Sequence, residues 1–195
     1  MKKIIGTSPV LSPLPLLVIG TYDEDERADM MTAAWGGVCS SSPPSVAFSV
    51  RESRYTYENL LQTEEFTINI PSAAYVDEVD YFGIASGRKT DKPKVCGLTV
   101  EPAPDVHAPM IAEFPLVVEC RMVKTVPLGS HLQVIGEIVQ ILAEEDVLDE
   151  NDNPLPERVD PILYDPRGRT YHRVGEEIGQ AFNAGKKFQT TVYQI

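Results

Sequence analysis

Apolar and polar positions along this chain alternate in short runs, and the pattern turns helical in only two places. Residues 14–22, LPLLVIGTY, are rich in Leu, Val and Ile and predict a strand. The charged run 23–27 predicts a turn and residues 30–39 a returning strand, which together make a hairpin. Residues 45–51, SVAFSVR, alternate and predict a strand that delivers Ser49 and Arg51 at its end. Residues 53–63 then read as a helix, with Thr56 as N-cap, Glu58 in the first turn and Tyr57, Leu60 and Leu61 on one face. A strand follows at 65–70. Pro71 and Ser72 open a second helix on which Tyr75, Val76, Val79 and Phe82 recur at helical spacing, and a loop then runs through Lys94. Beyond prolines at 102, 104, 109 and 115, residues 116–126 and 131–143 are two longer β-type runs. Pro127-Leu128-Gly129-Ser130 joins them into a second hairpin. Residues 147–161 are acidic and proline-bearing, and 162–164 and 170–174 are short strand-like pieces. Many short strands with two early helices predict a closed antiparallel barrel with helical additions.

A length of 195 residues with 43% hydrophobic content suits one domain over 1–195. The formal charge of -12 has the wrong sign for electrostatic attraction to nucleic acid or an anionic membrane. It is read as ordinary solubility, with docking of a basic redox partner as the lesser alternative. No apolar run approaches the roughly 20 residues that span a bilayer, and Met1-Lys2-Lys3 leads into proline-interrupted sequence rather than an export-type core. Cys39, Cys96 and Cys120 are odd in number and contain no CxxC, so reduced thiols and a cytoplasmic location are expected. Cys39 is read as a small buried hydrophobe in preference to a redox thiol.

Several motif lookalikes are rejected. Gly87-Arg88-Lys89-Thr90 lacks the glycine directly before lysine and the earlier glycine that a phosphate-binding P-loop needs. Asp149, Asn151, Asn153 and Asp160 fall near calcium-loop spacing, but Pro154 replaces the turn glycine. His107, His131 and His172 have no metal-ligand spacing, and no Gly-x-Gly-x-x-Gly fingerprint occurs, so a nicotinamide would bind on an open surface.

The chemistry concentrates between Asp29 and Pro71. In Met30 to Trp35, small residues beside bulky ones let the backbone approach a flat ligand while Trp35 walls it. Arg51, Arg54 and the Thr56 hydroxyl, at a helix start with free N–H groups, would converge on a terminal phosphate. That parts list suits a phosphorylated aromatic cofactor, and it points to a flavin.

On these residues the chain resembles the flavin reductase-like, FMN-binding split-barrel family, and within it the flavoredoxin-like members. The resemblance runs from about Ser8 to about Phe188. It rests on MTAAW, the Pro43-Pro44 pair before a strand ending SVR, RYT followed by EF-x-x-N-I-P, SGRKTDK at Ser86 to Lys92, and GSHLQVIGEIV at Gly129 to Val139. It implies a mainly β fold, a closed antiparallel split barrel with a few inserted helices, and a homodimer with FMN at its interface. It implies ring contacts along Met31, Thr32, Ala33, Ala34 and Trp35 and at Ser49 and Val50. The phosphate would lie at Arg51, Arg54 and Thr56, with Ser86 and Gly87 adding backbone contacts. Lys92 is carried over as a flexible cation close to the flavin or its phosphate, and His131 as a residue facing the flavin on the substrate side. Arg88 and Lys89 are read as solvated. Many relatives have Asn where this chain has Asp29, which leaves the role of Asp29 open.

The implied activity moves electrons from NAD(P)H or a protein donor through FMN to free flavin, ferric iron or a redox protein. No side-chain acid or base is required, since the flavin does the chemistry and the protein supplies orientation and electrostatics. The alternative is a non-catalytic split-barrel sensor or store for flavin, haem or another flat ligand. A relationship to pyridoxamine-phosphate oxidase is a weaker third, because that family shares the barrel type but not this motif order.

Overall fold

The structure, a computed structural model, describes residues 1–188. In chain order its strands are β1 (Leu14–Pro15), β2 (Leu17–Tyr22), β3 (Ala28–Ala33), β4 (Gly36–Ser41) and β5 (Pro44–Val50). Helix α1 (Tyr55–Thr63), β6 (Glu65–Ile70), α2 (Val76–Ile84) and α3 (Lys92–Cys96) come next. They are followed by β7 (Val100–Pro102), β8 (Pro109–Ile111), β9 (Leu116–Leu128) and β10 (His131–Ala143). A four-residue helix α4 (Pro156–Val159) and the short strands β11 (Leu163–Asp165) and β12 (Thr170–His172) complete the described elements. No helix among the described residues is long and apolar enough to cross a membrane.

Seven strands form one antiparallel sheet in the order β3-β2-β6-β9-β10-β5-β4. Its two edge strands, β3 and β4, are consecutive in the chain. The single strand predicted over 30–39 therefore breaks at Ala34 and Trp35, where the chain leaves one edge of the sheet and joins the other. Just past the break, the Ser49 N–H donates to the Trp35 carbonyl at 2.8 Å, which extends the pairing of β4 with β5 beyond Gly36 and Phe48. No β3 to β4 ladder seals the edges among the described residues.

The predicted strand over 14–22 also divides. The Leu16 N–H donates to Ile162 O at 3.1 Å, so β1 pairs with β11 in a separate small sheet, β1-β11-β12, while β2 enters the main one. Strand β2 is buried on both faces, which explains its almost unbroken apolar run. Leu17 and Ile19 point into an inner core with Met31, Phe48, Leu60, Phe66 and Val134. Val18 points the other way into a second core with Met30, Val79, Phe82, Ile111, Phe114 and Ile162. At the centre of the inner core Phe48 and Phe66 meet edge-on, 5.4 Å between centroids. Gly136 at a bulge in β10 makes this possible, because a Cβ there would stand 2.5 Å from Phe66 Cζ.

The helices hold the site end of the sheet. Helix α1 starts at Tyr55, with Arg54 rather than Thr56 at its N-cap and no side-chain cap. Thr56 lies inside the helix, where its hydroxyl donates to the buried Asp29 carboxylate at 2.5 Å. Leu60 enters the inner core and Tyr57 packs on it, whereas Leu61, one position on and about 100° around the helix, is exposed. Ser72 opens the next helical stretch by accepting from the Ala74 N–H, and a short 3₁₀ turn at Ala73–Tyr75 leads into α2. α3 occupies the loop expected through Lys94. Its signals are Asp91 accepting from the Lys94 N–H at 3.2 Å, Pro93 in the first turn and Gly97 with φ 71° beyond the end.

The hairpin of β9 and β10 turns on Gly129 and Ser130 alone, since Pro127 and Leu128 belong to β9 and pair with β10. Cys39 is exposed rather than buried, because β4 is an edge strand paired only with β5.

Candidate functional site

The end of β3, the break at Ala34-Trp35, the end of β5 and the first turn of α1 converge on one side of the sheet. They frame two adjoining pockets of about 400 Å³ each, which share Met31, Arg51 and Arg54. The first is walled by Thr32, Ala33, Ala34, Trp35, Ser49, Val50 and His131, with Tyr164 from β11 at its edge. The second is walled by Thr56, Ser86 and Lys92 together with Asp29, Ser53, Tyr55, Ala85 and Gly87. All fourteen residues nominated from the sequence, Gly87 included, thus line one or the other pocket.

The first pocket has a fixed floor. Thr32 Oγ1 donates to the Val79 carbonyl at 2.5 Å, which ties β3 to α2. Ala33 and Ala34 add little bulk, so a flat ring could lie close to the backbone. Trp35, 40% exposed, leans against His131 with 4.9 Å between ring centroids and an interplanar angle of 44°. Ser130 Oγ lies 2.9 Å from His131 Nδ1 and fixes the ring that faces Trp35.

The second pocket has a positively charged lining. Arg27, Arg88, Arg121 and Arg173 each pair with a carboxylate, on Asp23, Glu58, Glu65 and Asp160 respectively. Arg51 has no ion-pair partner among the described residues, and the Arg54 guanidinium donates only to the Gly83 carbonyl, at 3.1 Å. Two uncompensated guanidinium groups therefore flank the start of α1, whose first N–H groups have no intrahelical acceptors. In a chain of formal charge -12, that is a local reversal of sign.

Neighbouring charges are spoken for. Asp23 accepts from the Tyr55 hydroxyl at 2.7 Å and from Arg27, which anchors the first turn of α1. Burial pushes the Asp23 carboxyl up, but these hydrogen bonds prevail and hold it below the usual range. Arg88 is exposed, as expected, and its guanidinium also binds Glu58 at 2.5 Å and lies over the Tyr55 ring, 4.8 Å from its centroid. The hydrogen bond from Arg88 draws the Glu58 carboxyl down.

Lys92 is placed differently from the flexible cation expected. It is 3% exposed, with Nζ 2.9 Å from Asp29 Oδ1 and 3.5 Å from Phe82 O. Asp29 is equally buried, and Gly87 presses on it so closely that a Cβ would stand 2.1 Å from Oδ1. The glycine of SGRKTDK is therefore a close-approach residue, required by the carboxylate beneath it.

Sequence reasoning missed Tyr164, Tyr55, Ser53 and Ala85. Tyr55 and Ser53 had a signal in their position at the helix start, and Ala85 follows α2 directly. Tyr164 had none, since only the pairing of β1 with β11 brings it to the site.

Comparison with known proteins gives the family and the fold. A family model described as the flavin reductase like domain matches residues 11–173. The flavoredoxin of Desulfovibrio vulgaris (Miyazaki F) is 43% identical, with a TM-score of 0.92 over 95% of this chain and 100% of that one. A flavoredoxin from Methanosarcina acetivorans is 29% identical, with a TM-score of 0.89 over 96% and 100%. An FMN-binding protein from Thermus thermophilus is 25% identical, with a TM-score of 0.79 over 92% and 99%.

Proposed function

Because this chain belongs to the flavin reductase-like domain family, we propose that it is an FMN-dependent oxidoreductase of the flavin reductase or flavoredoxin type. It takes electrons from NAD(P)H or a protein donor and passes them to free flavin, ferric iron or a redox protein. The observation that carries this reading is the pair of uncompensated guanidinium groups, Arg51 and Arg54, at the open start of α1 beside a ring-sized pocket. A ring with a phosphorylated tail fits that donor set better than an uncharged ligand, which would leave two cations unused. The flavoredoxin neighbours and the FMN-binding protein of Thermus thermophilus support the choice of FMN.

The flavin, when bound, supplies the electron-transfer chemistry. In this reading Met31, Thr32, Ala33, Ala34 and Trp35, with Ser49 and Val50, hold the ring, and the Thr32 bond to Val79 keeps their backbone rigid. Arg51, Arg54, the first N–H groups of α1 and the Ser86 backbone hold the phosphate. His131, braced by Ser130, faces the side from which a donor or acceptor approaches. No side chain of the site is needed as a general acid or base. Residues 1–195 act as one flavin reductase-like domain, a closed split barrel working as a homodimer in the cytoplasm.

Reconstitution with FMN, followed by an absorbance spectrum and anaerobic addition of NADH and NADPH, tests the reading. The expected result is stoichiometric FMN uptake and bleaching at a catalytic rate with at least one donor. Failure to take up FMN overturns it, and light scattering reads the oligomeric state on the same material.

A further inference from the structure

Directly beneath the anion pocket lies a buried ion pair that its function as a phosphate site does not require. Asp29 on β3 and Lys92 at the start of α3 are 2% and 3% exposed, with Lys92 Nζ 2.9 Å from Asp29 Oδ1. The other carboxylate oxygen, Oδ2, accepts the Thr56 hydroxyl at 2.5 Å. Oδ1 has no aligned hydrogen-bond donor, so its contact with Lys92 is one of charge, and Gly87 closes over it. One carboxylate thus engages three segments that wall the pocket: the first turn of α1, the loop through Gly87 and the start of α3.

We propose that Asp29 is a specificity-determining residue that weakens the preference of the site for phosphorylated over unphosphorylated flavin. This rests on the flavin reading above and deepens it. Asp29 neutralises the charge of Lys92 and accepts the hydrogen bond of the Thr56 hydroxyl, two groups that would otherwise serve an anion in the pocket. Lys92 does not leave Asp29 for a ligand, because that would strand a buried carboxylate without a counter-charge. Arg51, Arg54 and the N–H groups of α1 carry the phosphate without help, so the flavin is held as an exchanging partner rather than locked in.

The test measures dissociation constants for FMN and riboflavin by fluorescence titration, with thermal melts as a check on folding. Wild type is compared with Asp29→Asn and with the double variant Asp29→Asn/Lys92→Gln. In Asp29→Asn the FMN-to-riboflavin preference rises about tenfold or more, and inorganic phosphate competes at correspondingly lower concentration. In the double variant, whose neutral pair has similar bulk, the preference stays within about threefold of wild type. A merely structural role would move both affinities together and leave their ratio unchanged, which overturns the proposal. So does a roughly tenfold fall in the double variant, which would make Lys92 a phosphate ligand in its own right. Should Asp29→Asn not fold, Asp29→Ser is titrated in its place, with the same expected rise and the same overturning outcome. A wild type that binds neither flavin overturns the flavin reading and this inference with it. One that binds both, with an unmoved ratio in the single variant of Asp29, overturns the inference alone.

Discussion

The backbone N–H of Ser49 donates to the carbonyl of Trp35 at 2.8 Å, and this bond carries the pairing of β4 with β5 one step past Gly36 and Phe48, to the mouth of the candidate site. It holds the only tryptophan of the chain against the pocket, with its ring 40% exposed.

Trp35 is therefore a built-in reporter. Titration with FMN should quench its fluorescence in a saturable, one-site curve, because an aromatic ring in the first pocket would lie beside it. Unchanged emission while absorbance shows FMN uptake would place the ligand elsewhere.

Arg51→Ala removes a guanidinium that no carboxylate compensates. A charge-assisted hydrogen bond of this kind contributes about 1.5–3 kcal/mol, so FMN affinity should fall roughly tenfold to a hundredfold. Riboflavin, which lacks the phosphate, should change little. Equal losses for both ligands in a calorimetric titration would remove Arg51 from the phosphate site.

The three thiols should react in order of access. Cys39 is exposed on the edge strand β4 and Cys96 is half-buried. Cys120 is fully buried, and burial, reinforced by the charge of Glu119, pushes its thiol up to about 12. Brief treatment of the native protein with iodoacetamide should label Cys39 and spare Cys120, which becomes reactive only on unfolding. Early labelling of Cys120 by mass spectrometry would contradict the placement of β9 in the inner core.

Glu119 predicts a pH dependence of stability. It is fully buried; Oε2 accepts from the Asp105 N–H at 2.9 Å and Oε1 has no partner. Burial raises its carboxyl above the usual range, with Asp105 and Glu65 adding to the shift and the Asp105 N–H and Arg121 opposing it. The folded state therefore binds this proton more tightly than the unfolded state does. The stability so gained is complete below the ordinary carboxylate range and is lost as pH rises through the raised value. Glu119→Gln keeps an acceptor for Asp105 without the charge. It should melt roughly 2–4 °C higher at pH 7–8, equivalent to about 1 kcal/mol, with the difference vanishing near pH 4. A lower melting point at pH 8 would show that the charged form is stabilised after all.

Local pattern carried much of the site. The alternation of SVAFSVR placed Ser49 and Arg51 at a strand end, the polar start of the next segment placed Arg54 and Thr56 in a first helical turn, and MTAAW marked a backbone open to a flat ligand. What misled was long-range. Thr56 has the chemistry of an N-cap, but its hydroxyl donates to a carboxylate 27 residues earlier. Lys92 sits in a hydrophilic stretch that reads as solvated, yet it is buried against a partner on β3.

The sequence by itself determined which segments become strands and helices, and which of their ends carry hydroxyls and cations, because those choices depend on neighbours within a turn or a pleat. Only the tertiary structure decided that one β-type run splits at Ala34 and Trp35 to serve both edges of one sheet. It alone brought Tyr164 to the pocket, exposed Cys39, and neutralised Lys92 while leaving Arg51 and Arg54 uncompensated. The physical reason is that burial and charge pairing depend on distances between residues remote in the chain, and those distances exist only once the sheet has folded around its cores.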